Sequence, residues 1–241
     1  VNPDHFYEAG RGFGEFQKYL FDFPADKLVE TIPDFHNTKK RFYAFVAAVA
    51  EDRAGRVCEL EPEIDFFFDR RKKMGKIIDL MDSGVLPMRV THNDTKLNNV
   101  LIDNETGKAI CVIDLDTIMP GSALYDFGDM VRTSSAAAAE DERDLSKVYS
   151  KKEFFEALVK GYLAGAKFLT EAEKANLAFA GRLITLTIGI RFLTDYLAGD
   201  TYFRTAYDDH NLVRCRTQFK MVESMEAQAD DYEAIVRRYA K

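Results

Sequence analysis

THNDTKLNNVLID, residues 91–103, is a polar stretch set between apolar ones. Val85-Leu86-Pro87-Met88 precede it, and Val100-Leu101-Ile102 and Ile110-Cys111-Val112-Ile113 follow. The side chains of His92, Asn93, Asp94, Lys96, Asn98 and Asn99 therefore stand between segments that read as buried strands. The runs 88–91, 99–102 and 109–114 are short and β-branched, which predicts strands, and DNETG at 103–107 predicts the turn between the last two.

Outward from this β patch the pattern is helical. Residues 9–22 place Phe13, Phe16, Leu20 and Phe21 on one side of a helix. Asn37 or Thr38 is positioned to cap a helix that runs to Asp52, and 61–83 read as one longer helix ending at Gly84. Pro120-Gly121 reads as a turn before the chain returns to helix. Residues 151–165 carry an apolar stripe from Phe154 to Leu163. Residues 170–198 read as two buried segments around Gly189, and 219–239 as a C-terminal helix. The expectation is a mostly α protein with a small β patch (α+β), without internal repeats.

Composition narrows the class. A chain of 241 residues can bury a sizeable core. The net charge of -7, without a basic tract, argues against nucleic acid as a partner. No run of about 18 apolar residues stands out, so no membrane span is expected. Three widely separated cysteines, Cys58, Cys111 and Cys215, have no metal-site spacing and fit a reducing compartment, with the cytoplasm as the default. The four histidines are scattered, without H-E-x-x-H, and no G-x-S-x-G elbow is present.

His92, Asp94, Lys96 and Asn99 spell H-x-D-x-K-x-x-N between two strands, and a second acid, Asp114, ends the next strand in IDLD. Phosphoryl transfer from a nucleotide suits such a set, because that reaction is mostly positioning and charge neutralisation. One carboxylate orients and deprotonates a hydroxyl. Another carboxylate and an amide oxygen suit magnesium, which prefers hard oxygen ligands. A lysine two residues past the base reaches the transferring group. The plainer alternative makes Asp94 and Asn99 turn formers and Asp114 a cap.

HNDTKLNN followed by VIDLDTIMPGSALYDFGD resembles the aminoglycoside phosphotransferase/choline kinase branch of the protein-kinase-like fold. The resemblance implies Asp94 as catalytic base, Asn99 and Asp114 as magnesium ligands, His92 as a buried brace of the loop, and Asp126 as structural. It also implies ATP and Mg2+ as cofactors. The DFG at 126–128 lies inside a predicted helix, the wrong place for a metal-binding DFG; Asp114 fills that role. Asp116 either assists the metal, binds substrate or faces a helix terminus.

ETIPDFHNT at 30–38, VTHNDTKLNNVLID at 90–103, CVIDLDTIMPGSALYDFGD at 111–129 and RFLTDYLAGDTYF at 191–203 are similar to the N-acetylhexosamine 1-kinases. That likeness implies transfer from ATP to the anomeric hydroxyl of GlcNAc or GalNAc, with sugar contacts from Asp94, Arg191 and Tyr202. The plainer readings are an Arg191–Asp195 ion pair one helical turn apart and packing of Tyr202 beside Phe203. Choline, aminoglycoside or homoserine as acceptor, and a non-catalytic sugar-binding, pseudokinase-like module, remain alternatives.

One departure from the family bears on the whole chain. Such kinases carry an N-terminal lobe with a five-stranded sheet, a phosphate-covering loop and a lysine–glutamate pair. Gly10-Arg11-Gly12-Phe13-Gly14 has the wrong spacing for that loop and no strand before it. It reads as a helix with small residues at a packing contact. The expectation is the helical C-terminal lobe over 1–241, carrying a catalytic and metal-binding segment at 88–130, and inactive alone.

Overall fold

The computed structural model describes residues 2–240. The Asn2 side chain accepts from the Asp4 N–H and Pro3 takes the first helical position, so α1 runs Pro3–Tyr19, starting earlier than the stripe at 9–22 indicates. Asn37, not Thr38, caps α2 (Thr38–Glu51) by accepting from Lys40 N. The Thr38 hydroxyl goes instead to the Met74 carbonyl. That carbonyl is free because the helix expected over 61–83 is two helices, α3 (Glu61–Arg70) and α4 (Lys76–Asp82), separated by a 3-10 turn at Arg71–Lys73 and by Gly75. The break lets the two apolar stripes face different neighbours. Phe67 of α3 meets Phe45 edge-on at 4.9 Å, while Lys76 of α4 lies over Phe179.

The β patch is four short strands, β1 (Arg89–Thr91), β2 (Val100–Ile102), β3 (Ala109–Val112) and β4 (Met119–Gly121), in two antiparallel pairs. β2 pairs with β3 with Val100 opposite Val112. Asp103 makes the turn between them, its Oδ1 accepting from Thr106 N and Glu105 N. β1 pairs with β4, Thr91 opposite Met119 and Val90 opposite Pro120. Pro120-Gly121 is thus strand and not turn. A two-stranded pair has two edges, so a residue without an N–H is tolerated in it. Ser122 then caps α5 (Ala123–Ser134), which contains the DFG.

The remaining helices are α6 (Lys152–Gly165), α7 (Glu171–Lys174), α8 (Leu177–Leu197), α9 (His210–Ala227) and α10 (Ala229–Tyr239). The expected break at Gly189 does not occur. α8 runs straight through, and a Cβ there would lie 2.8 Å from the Phe219 ring, so the glycine makes room for α9. The C-terminal helix begins at His210, not 219, and is interrupted at Gln228, whose Nε2 donates to the Ser150 carbonyl.

α8 corrects the expectation that no segment is long and apolar enough to cross a membrane. Leu177–Leu197 is, by length and composition, but 78% of its most apolar window is buried inside the protein. It is the central core helix, packed against α2, α5 and α9. A second seam joins α1 to α6. Cβ atoms added at Gly10 and Gly14 would lie 2.7 Å from Leu158 O and 2.6 Å from Tyr162 O; added at Gly161 and Gly165, 1.9 Å from Tyr7 O and 2.6 Å from Arg11 O. Glycines on both helices bring backbone against backbone. Among the described residues there is no five-stranded sheet.

Candidate active site

The loop between β1 and β2 is held from below by two acids of α5. Asp126, fully buried, accepts from His92 N at 2.9 Å and Asn93 N at 2.7 Å. Asp129, one turn on, accepts from Thr95 N at 3.0 Å, and the Thr95 hydroxyl donates to the Asp126 carbonyl at 2.6 Å. Both carboxylates thus replace water for N–H groups that the loop's own geometry leaves unpaired. Burial pushes the Asp126 carboxyl up to about 6, against the pull of those N–H donors. A third donor comes from α1: Gln17 Nε2 reaches Asp126 at 2.6 Å, and its Oε1 accepts from Tyr162 of α6. Arg132 pairs with Asp129 at 2.9 Å and with Glu140 at 2.8 Å.

His92 is fully buried, edge-on to Phe13 and Phe16 of α1. Its Nδ1 accepts from Asp94 N at 3.3 Å, so the proton sits on Nε2, which donates to the Ile113 carbonyl at 2.9 Å. The ring therefore ties the loop at Asp94 to the end of β3. Ile113 N donates in turn to the Asn99 carbonyl at 2.9 Å. Asn99 and Asp114 are thus brought together through one backbone bond.

Asp94 is half-buried. Lys96 Nζ donates to its Oδ2 at 2.9 Å and lies 2.9 Å from Oδ1, and Asn99 Nδ2 donates to its Oδ2 at 3.1 Å and its carbonyl at 2.8 Å. The Asn99 amide nitrogen is committed to Asp94, while its Oδ1 has no hydrogen bond among the described residues. Asp114 is exposed, in the left-handed region at φ 63°, with no partner for its carboxylate among the described residues. One uncommitted amide oxygen and one uncommitted carboxylate are a hard-oxygen donor pair that fits magnesium completed by phosphate oxygens. No three His, Cys, Asp or Glu side chains among the described residues form a cation cluster. Asp116 is exposed beside Asp114, and only its carbonyl is engaged, by the Thr31 hydroxyl at 3.5 Å.

The loop lines two clefts. Asn93 lines one of about 390 Å³ with Asp34, His36, Met119 and Tyr125; Lys96 and Asn98 line another of about 410 Å³ with Lys151. Arg191 and Tyr202 come together elsewhere, on a cavity of about 240 Å³, with the guanidinium 5.8 Å from the ring centroid. The residues 34–37 join that cavity to the loop: Phe35 lies 5.3 Å from Arg191, and the next residue, His36, donates from Nε2 to the Asn93 carbonyl at 3.3 Å. The Arg191–Asp195 ion pair is not formed. The Asp195 carboxylate is taken up by the N–H groups of Thr201, Tyr202 and Phe203 and by Asn211 Nδ2. Tyr202 does meet Phe203 edge-on at 4.8 Å and is still 66% exposed.

Gln17, His36 and Asp129 have no distinguishing mark in the sequence. Gln17 shares a helical face with Phe13, which was the one available sign that a polar side chain there is buried. Residues 2–173 match the model of the phosphotransferase enzyme family, APH.

Proposed function

Because the chain belongs to the phosphotransferase enzyme family, whose members act on small molecules, we propose that it transfers the γ-phosphoryl group of ATP to a sugar hydroxyl, with the anomeric hydroxyl of an N-acetylhexosamine as the first candidate. One observation carries this: Asp94 is bound at once to Lys96 and Asn99, on a loop one backbone bond away from the unpaired Asp114.

In this reading Asp94 orients the acceptor hydroxyl and takes its proton as the hydroxyl oxygen bonds to the γ-phosphorus. The bond from that phosphorus to the bridging oxygen breaks, and ADP leaves. Lys96, shared between Asp94 and the incoming group, offsets charge on the transferred phosphoryl. Asn99 Oδ1 and the Asp114 carboxylate would hold magnesium, which supplies charge neutralisation on the phosphates. His92 and Asp126 fix the loop that carries Asp94. Arg191 and Tyr202 supply a charged donor and an aromatic face to the sugar.

The described residues hold no glycine-rich phosphate cover and no sheet-borne lysine–glutamate pair, so these 241 residues alone are expected to be inactive. The three free cysteines suit a cytoplasmic setting. The test is a screen of free sugars, choline, homoserine and aminoglycosides with ATP and magnesium, reading ADP release and the phosphorylated product. Product from choline or an aminoglycoside, with none from any sugar, would replace the sugar reading.

A further inference from the structure

Arg41 of α2 and Arg191 of α8 both line the 240 Å³ cavity, with Thr201 and Tyr202. Neither has a carboxylate within ion-pair distance among the described residues. Arg41 Nη2 donates to the Phe35 carbonyl at 3.3 Å, and its Nε is buried without any partner. Arg191 has aromatic faces around it, Phe35, Tyr202 and Phe203, at 5.3 to 5.8 Å, with the neutral Tyr202 hydroxyl and no carboxylate beside its guanidinium.

Four other partly buried arginines of the chain are paired, whereas Arg182, packed over Phe179, is not. Arg56, Arg70, Arg89 and Arg132 each have a carboxylate at 3.0 Å or closer. Asp195 lines the cavity but is saturated by the backbone of 201–203, so it holds Tyr202 in place rather than serving as counter-ion. Asp34, the nearest acid to Arg41 along the chain, is bound by Lys40 at 2.7 Å and by Asn37. Burial, and then the charge of Arg41, push Arg191 down to about 10. Two like charges drawn out of water without a partner are costly, and a bound anion removes that cost with charge-assisted, fork-shaped hydrogen bonds.

We infer that Arg41 and Arg191 form a subsite for an anionic substituent, a carboxylate or a phosphate, on the acceptor sugar. The inference rests on the sugar-kinase reading and narrows its first candidate: a hexosamine or related sugar that carries an anionic substituent, in preference to the neutral N-acetylhexosamine. In this reading the ring lies against Phe35 and Tyr202, the anion meets the two guanidiniums, and residues 34–37, which link the cavity to the Asn93 carbonyl, mark the side from which a hydroxyl would approach Asp94.

The test is calorimetric binding to the whole chain of N-acetylglucosamine, N-acetylglucosamine 6-phosphate, glucuronic acid and inorganic phosphate, for the wild type, Arg41→Gln and Arg41→Lys. The wild type should bind at least one anionic sugar roughly 10- to 100-fold more tightly than the neutral one, the range of a charge-assisted hydrogen bond or two. Whether the phosphorylated or the carboxylated sugar shows the preference identifies the anion. Arg41→Gln should collapse the preference, and Arg41→Lys should restore part of it. Circular dichroism confirms that the variants are folded. Equal affinity for neutral and anionic sugars overturns the inference, as does a preference that survives Arg41→Gln. Phosphate binding that depends on Arg41, with no sugar binding at all, would support the anion subsite and sink the sugar reading instead. If neither phosphate nor any sugar binds, both fall.

Discussion

Asn99 holds Asp94 twice, by its carbonyl at 2.8 Å and by its carboxylate at 3.1 Å, from a single amide nitrogen. The arrangement fixes the backbone and the carboxylate of the same residue together, and leaves the amide oxygen of Asn99 uncommitted. Orientation of this kind is what the proposed role of Asp94 as base requires.

In a form of the enzyme with robust turnover, Asp94→Asn should lower that turnover by about two orders of magnitude or more, the scale of lost general-base catalysis, while the melting temperature hardly moves. Steady-state phosphotransfer and thermal denaturation on the same preparation check it. Near-normal turnover would remove Asp94 as the base.

Asp114→Ala should cost about 1 kcal/mol of stability at most, because the exposed carboxylate has no partner to lose and only the left-handed backbone at φ 63° disfavours alanine. Magnesium dependence and ATP use should weaken together. Titration of activity against magnesium, beside sugar binding by calorimetry, separates the roles. A loss of sugar affinity as large as the loss of turnover would place Asp114 in the acceptor site.

Asp126→Ala should be strongly destabilising, by about 3 kcal/mol or more. It leaves the N–H groups of His92 and Asn93 and the amide of Gln17 buried without an acceptor, at about 1–3 kcal/mol for each group. Asp126→Asn keeps one acceptor oxygen and should cost less. Urea denaturation of the two variants gives the order; Ala no worse than Asn would contradict the bracing role.

Gly161→Ala should destabilise despite the better helix propensity of alanine, worth about 1 kcal/mol. The added methyl would come 1.9 Å from Tyr7 O, a backbone atom that cannot swing aside. Overpacking of this kind costs about 1–3 kcal/mol or more, so the clash wins and the melting temperature falls. A rise in melting temperature would show that α1 can shift freely.

His36 gives a pH signature. Burial pushes its imidazole down to about 4 from the ordinary 6.5. Between those values the unfolded chain binds a proton that the folded one does not, so its contribution to stability is lost as pH falls through that window. The loss approaches about 3 kcal/mol near pH 4. Asp126, raised to about 6, acts in the opposite sense over an overlapping range, since there the folded state binds the extra proton. The difference between wild type and His36→Asn isolates the histidine: the variant should lose less stability from pH 7 to 4. Parallel curves would refute the assignment.

The polar loop at 92–99 was legible as a distinct segment because its signal is local. Polar residues between β-branched runs can be seen in one short window. Most of the helices were legible from their stripes. The break at Arg71–Gly75 was not, because RRKKM is good helix-forming sequence and one glycine does not by itself end a helix; Thr38, far off in the chain, accommodates the break by donating to the freed Met74 carbonyl. β4 was hidden by Pro120-Gly121, whose turn preference yields to pairing with β1. Gly10 and Gly14 were visible as small residues at a contact, but not their partners Gly161 and Gly165. Sequence spacing suggested Arg191–Asp195; the loop at 201–203 claims that aspartate first. Gln17 and Asp129 acquire their roles only once α1 and α5 lie under the loop.

The glycine seam between α1 and α6 has a rotational consequence. A helix turns about 100° per residue, so a seam that locks Gly10 and Gly14 against α6 also locks the angular phase of every residue beyond it. Gln17, three residues past Gly14, meets Asp126 in one phase alone. α1 thus works like a cut key: its teeth are the glycines, and the amide of Gln17 is the tip that reaches the bolt beneath the loop that carries Asp94. One residue inserted or deleted between positions 14 and 17 would preserve the helix, its composition and its apolar stripe up to that point, and would still turn the tip out of the lock.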